Sequence, residues 1–212
     1  QERELSVEAT RALEEFARQH QLTLNTLVQG AWALLLSRLG GQEDVVFGTT
    51  VSGRSAALPG MESMVGLFIN TLPVRVQLPP EMRLVEWLEE VQGQHVELRQ
   101  YEYTPLVEIH RWSEVGGGRP LFESLTVFEN YPLDRSLRQS QGYTSVEVRD
   151  VQVRERTNYP LNLVAVPGPC LLLRMLYDSH RFEEGSISRL LDYLTRLLEE
   201  MTVDPARQLR EV

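Results

Sequence analysis

Hydrophobic residues along this chain recur with two different periods, and the switches between them predict a sheet with helices packed on it. Leu5, Ala9, Leu13 and Phe16 recur at helical spacing after a polar start, predicting a first helix. Leu24, Leu27, Val28, Ala31, Trp32, Leu35 and Leu39 predict a second and more thoroughly apolar helix. Gly40-Gly41 should end it, because glycine tolerates the left-handed conformation of a helix C-terminus. Asp44 to Arg54, DVVFGTTVSGR, reads as a buried strand running into a tight loop, and a short helical turn is expected around Met61 to Leu67. Leu72, Val74, Val76 and Leu78 then alternate with polar residues, a half-buried strand stopped by Pro79-Pro80.

Leu84, Leu88, Val91, His95 and Leu98 fall at steps of four and three, predicting an amphipathic helix over 83–100. Thr104-Pro105 supplies a cap and a first-turn proline to a shorter helix ending by Ser113, and Gly116-Gly117-Gly118 reads as a loop. Strands are expected over 121–131, 143–155, 161–166 and 170–177. In the second of these the apolar parity shifts, so a bulge is expected near Arg149-Asp150. Pro167-Gly168-Pro169 should join the last two strands. A final helix carries Ile187, Leu190, Leu191, Leu194, Leu197, Leu198 and Met201 on one stripe, with Ser186 as its cap. The expected organisation is one domain over 1–203 followed by a linker over 204–212. Helices before, between and after strands predict an α/β fold, a mixed sheet covered by helices in a sandwich.

Composition narrows the function classes. With 212 residues the chain can build one sizeable core. A formal charge of −9 argues against nucleic acid, since phosphate binding needs clustered cations; the 21 basic residues are all arginine. No apolar run reaches the roughly 18–20 residues of a membrane span, and no basic start followed by an apolar stretch marks a secretory signal. The single cysteine, Cys170, forms no internal disulfide and fits a reducing cytosol, so a cytoplasmic location is expected. A start at Gln1 rather than Met suggests a piece of something longer. Neither a His/Cys metal-ligand spacing nor a GxSxG elbow, phosphate loop or GxGxxG string occurs.

Four stretches, in order, resemble motifs of one family: TTVSGR (Thr49 to Arg54), MVGLFINTLPVR (Met64 to Arg75), YEYTPLVEIHRWS (Tyr101 to Ser113) and RPLFESLTVFENYPLD (Arg119 to Asp134). Together they resemble the second half of the condensation domains of nonribosomal peptide synthetases. The resemblance implies a chloramphenicol-acetyltransferase-like lobe, one of two that enclose a reaction tunnel. It implies amide formation between aminoacyl or peptidyl thioesters, held on the phosphopantetheine arms of peptidyl carrier proteins. No cofactor would bind the chain directly. Partners implied are the N-terminal lobe of the condensation domain, carrier domains and adjacent synthetase domains, with no nucleic acid and no membrane. The family's HHxxxDG motif lies in its first half and is missing here; the four histidines are scattered. The chain by itself is therefore expected to be inactive, with no catalytic residue of its own.

The candidate residues line the implied tunnel. Asn70 has two open readings: its amide can hold a thioester carbonyl or pantetheine arm, or it caps the turn into a strand. Arg54 can orient a phosphate or carbonyl, hold the two implied lobes together, or sit in a structural ion pair. Gly66 should permit close backbone approach. Phe128, Glu129, Asn130 and Tyr131 end a strand where the resemblance sends chain towards the partner lobe, and their apolar surface should then be exposed. Asn158-Tyr159-Pro160 sits at the next strand entry and can line the same cleft. His95 sits on an apolar helical stripe and reads as a packed histidine. His110 and His180 lack a neighbouring nucleophile or second base in sequence, and Cys170 should open a buried strand and be inert. Two other functions remain open: a noncatalytic carrier-protein docking module, and a stand-alone acyltransferase using His110 or His180.

Overall fold

The computed structural model of the chain describes residues 1–54, 60–116, 118–129 and 157–212. The expected strand over 143–155, its bulge at Arg149-Asp150, and Asn130 and Tyr131 lie outside the described residues. Strand β1 (Glu2–Glu4) precedes helices α1 (Val7–Gln19) and α2 (Leu24–Gly40). Then come β2 (Asp44–Val51), β3 (Asn70–Gln77), α3 (Leu84–Leu98) and α4 (Leu106–Trp112). Strands β4 (Ser124–Phe128), β5 (Leu161–Val166) and β6 (Leu172–Tyr177) lead to α5 (Glu184–Met201).

The strands form one mixed sheet in the order β1-β6-β5-β4-β2-β3. β4 runs parallel to both β2 and β5, and every other neighbouring pair is antiparallel. This is the expected mixed α/β architecture. Period-two alternation separates the two faces. Val45 and Phe47 of β2, Val74 and Val76 of β3, Leu163 and Ala165 of β5, and Leu173 and Met175 of β6 join the core under the helices. α2 is buried continuously from Thr26 to Leu35 because it lies among α1, α3 and α5. Gly30 lets α3 come close: a Cβ there would sit 2.7 Å from a Leu88 methyl.

Local chemistry starts and stops the first two helices, and of its three devices only the glycine stop of α2 is among the sequence expectations. Ser6 Oγ accepts the Ala9 N–H (3.1 Å), Thr23 Oγ1 accepts the Thr26 N–H (3.1 Å), and Gly41 ends α2 at φ 62°. α5 differs. It starts two residues before Ser186, with Glu183 as its cap, and Ser186 Oγ instead accepts from Arg189 at 3.0 Å.

Three further expectations are corrected. Only Met61–Ser63 forms a helical turn, and 64–69 is irregular and extended. Cys170 is half-buried in the turn before β6, which starts at Leu172. The segment read as a linker is folded in. Leu209 and Val212 are core residues, Gln208 pairs with Arg83 in an antiparallel bridge, and the Leu209 N–H donates to the Met82 carbonyl at 3.0 Å. A leucine and a valine four residues or fewer from the end have apolar area to bury, and the groove beside the start of α3 accepts it. Among the described residues no helix is long and apolar enough to cross a membrane.

Candidate functional site

Three of the four motif stretches converge where β2 ends and β3 begins. Val51 pairs with Asn70 in the sheet, so the Ser52-Gly53-Arg54 loop leaves beside the start of β3. Both N–H groups of the Asn70 amide are spent, donating to the Glu102 carbonyl (2.9 Å) and the Thr104 carbonyl (2.7 Å). Its Oδ1 accepts the Thr71 N–H at 2.9 Å. The side chain of Glu102 reaches the other way, with Oε2 accepting the Gly53 N–H at 3.1 Å. One residue thus ties the loop after β2, the start of β3 and the approach to α4 into a single clamp.

Gly53 is where backbone approaches backbone. It has φ 65°, and a Cβ on it would lie 1.8 Å from the Phe68 carbonyl oxygen, so no other residue fits without moving the chain. Gly66, expected to fill this role, meets only the edge of the Phe68 ring. Arg54 holds the segment between. Its guanidinium donates to the carbonyls of Met61 (2.7 Å) and Met64 (3.1 Å) and lies 4.4 Å from the centroid of the Phe68 ring. That fork of two carbonyls plus a ring face is a task for arginine rather than lysine. The Met61 carbonyl also accepts the Met64 N–H at 3.2 Å, closing the single helical turn before 64–69.

The clamped segment presents its apolar side chains outward. Val65 is fully exposed at 103% and Leu67 is 89% exposed, with Ile69 half out of the surface. Tyr103, between the two carbonyls that Asn70 holds, is 73% exposed. Phe128 is instead half-buried against the core, and the Glu129 N–H donates to the Ala165 carbonyl at 2.8 Å, so this pair is less open than the sequence suggests.

On the sheet face away from the core helices lies a cleft of about 390 Å³. Leu106, Val107 and His110 of α4 form one wall, and Pro120, Leu121, Phe122 and Tyr159 form the rest. Its floor is built on Gly48, where a Cβ would lie 2.3 Å from the Phe122 ring. The Tyr159 ring stacks on Phe122 with centroids 5.1 Å apart. Asn158 is exposed next door in the chain, and it is Tyr159 that lines the cleft. Burial pushes the Tyr159 phenol up from its ordinary value, so it stays protonated.

Three of the four histidines are packed or hydrogen-bonded through their rings or buried. Nε2 of His110 lies 2.7 Å from the Arg119 carbonyl, and the His20 ring packs against Phe16. The His180 side chain is exposed, while its backbone N–H donates to Asp178. Burial, aided by the nearby Arg99 cation, pushes His95 down to about 4, and its Nε2 has no hydrogen-bond partner among the described residues. Among the described residues no group of three or more His, Cys, Asp or Glu could hold a metal ion. From sequence Glu102 is not singled out, and Tyr159 is named only together with Asn158 and Pro160 as a lining of the cleft. An acid between two tyrosines, and an aromatic just before a proline at a strand start, were the signals available.

Comparison with known proteins gives these motifs a context. A linear gramicidin synthase from Brevibacillus parabrevis is 54% identical over 207 residues, covering 98% of this chain and 3% of the relative. The chain spans only 3–4% of the length of the first curated relatives it matches. Among solved structures, a four-domain nonribosomal peptide synthetase, holo-AB3403 bound to AMP and glycine, matches with TM-score 0.85 at 19% identity, covering 100% of this chain and 17% of that one. The condensation domain of the monacolin K polyketide synthase MokA matches with TM-score 0.81 at 22% identity, covering 99% of this chain and 48% of that one. Both share the fold described above. The family model described as "Condensation domain" matches residues 1–212, from end to end, and the chain therefore belongs to the condensation-domain family.

Proposed function

We propose that this chain is the C-terminal lobe of a nonribosomal peptide synthetase condensation domain. It supplies one wall of a tunnel in which an amide bond forms between two carrier-bound aminoacyl or peptidyl thioesters. In that reaction the acceptor amine attacks the donor thioester carbonyl. The new C–N bond forms as the C–S bond breaks, and the departing thiol takes up the proton. The group that handles the proton is the second histidine of an HHxxxDG motif on the partner lobe, a string that this sequence lacks. The residues of this chain position: the clamp through Asn70, Glu102 and Arg54 fixes the wall, and the phosphopantetheine arms come from carrier proteins docked outside it.

One observation carries the reading. A segment held by Gly53, Arg54 and Asn70 nonetheless exposes Val65 and Leu67 almost completely, at 103% and 89%. Apolar side chains fixed in water are the mark of a surface built to be covered. The near-complete match to about half of the MokA condensation domain supports a second lobe as the cover.

The test is reconstitution. The chain is mixed or fused with a histidine-bearing N-terminal lobe and given two loaded carrier proteins, with the dipeptidyl carrier detected by intact-protein mass spectrometry. Product is expected only when both lobes are present and the second histidine is intact. Turnover by this chain alone refutes the division of labour. Saturable carrier binding without a partner lobe, and no product with one, favours a docking module instead.

A further inference from the structure

The cleft between α4, Phe122 and Tyr159 is not used by the clamp. We propose that it holds the apolar side chain of one of the two aminoacyl groups being joined, which makes it a specificity pocket. The proposal rests on the condensation reading above.

Its lining selects for that chemistry. Leu106, Val107, Pro120, Leu121 and Phe122 are apolar, and among the described residues no charged side chain lines the cleft. Of the two rings with polar atoms, His110 has its Nε2 engaged 2.7 Å from the Arg119 carbonyl, and burial keeps the Tyr159 phenol protonated. A carboxylate or ammonium entering here loses water and meets no Asp, Glu, Lys or Arg among the described lining residues, while an aliphatic group gains by leaving water. The size agrees. About 390 Å³ lies near the lower end of small-molecule pockets, enough for one leucine- or phenylalanine-sized group and the backbone beside it.

The cleft is also preformed. Phe122 is seated where Gly48 has no side chain and Tyr159 stacks on it, so neither ring must be ordered when a ligand enters. It adjoins the clamp directly. Asn70 holds the Thr104 carbonyl, and α4, which carries the cleft-lining Leu106, Val107 and His110, starts two residues later. A group anchored in the cleft therefore keeps its reactive end next to the proposed tunnel wall.

The experiment uses the whole condensation domain, this chain together with its histidine-bearing lobe. It is titrated with leucyl-, glycyl-, aspartyl- and octanoyl-pantetheine amides while the methyl resonances of Leu106, Val107 and Leu121 are followed. Leucyl-pantetheine should bind about tenfold or more tightly than the glycyl and aspartyl probes, with saturable shifts at those methyls. Val107→Trp, at a position 72% exposed and outside the core, should bring leucyl affinity down to the glycyl level. Equal leucyl and glycyl affinities overturn the proposal, as does a leucyl preference that survives both Val107→Trp and Leu121→Trp. Octanoyl binding tenfold tighter than leucyl also overturns it, since the occupant is then an acyl chain. A leucyl preference that persists while no carrier pair yields an amide overturns the condensation reading and leaves the pocket assigned.

Discussion

Replacing Asn70 by alanine removes two donated hydrogen bonds and leaves the carbonyls of Glu102 and Thr104 without that partner. A neutral hydrogen bond contributes about 1 kcal/mol net, and an acceptor left unsatisfied in a buried setting costs about 1–3 kcal/mol. The site is half-buried, so water repairs part of the loss, and a destabilisation of about 1.5–3 kcal/mol is expected. Asn70→Asp sharpens the test. At neutral pH it sets a carboxylate against two carbonyl oxygens, so it should cost at least as much as alanine. Protonation returns one O–H donor, so the deficit should shrink as pH falls through the carboxyl range. Urea unfolding of both variants across pH 4–7 measures this, and hydrogen exchange at the first turn of α4 localises it. An Asn70→Ala chain within about 0.5 kcal/mol of wild type, in a domain that no longer forms amide, refutes the reasoning: the amide would then serve the substrate and not the fold.

His95 gives stability a pH dependence. Its folded-state value is about 4 against 6.5 for the free side chain, so the unfolded state binds the proton more readily. Its contribution is intact above about pH 6.5 and is lost as pH falls towards 4, by at most about 3 kcal/mol. His95→Leu should flatten urea midpoints over that window; an unchanged slope refutes the assignment. Asp44 and Glu123 are held low by Arg75 and Arg181, so any loss from them falls lower, below about pH 4.5. Leu209→Ala should cost about 2–4 kcal/mol by thermal or urea melting, because Leu209 is core; a change under about 0.5 kcal/mol would mean the segment is a free tail after all.

Much of the fold was legible because its causes are local. The alternation at Leu72, Val74 and Val76 and the stripe from Ile187 to Met201 record which side faces the core. Gly41 carries its capping chemistry in its lack of a side chain. β1 was not legible. Glu2, Arg3 and Glu4 have no apolar period, and they form a strand because β6 offers an unpaired edge. The site divided in the same way. Asn70 and Arg54 stood out by residue type, but the sequence left their roles open, whereas Gly53, Glu102 and Tyr159 matter through contacts with distant residues.

The sequence by itself determined most of the elements and the family, because periodicity and motif order are written within a few consecutive residues. Tertiary structure alone decided which motifs meet, that Asn70 serves backbone carbonyls, that the last residues fold back onto α3, and that β4 lies parallel between β2 and β5. The physical reason is range. A side-chain hydrogen bond 32 residues from its partner, or a backbone bridge 125 residues from its partner, leaves no periodic trace in either segment, and it becomes visible only when the chain brings the two together.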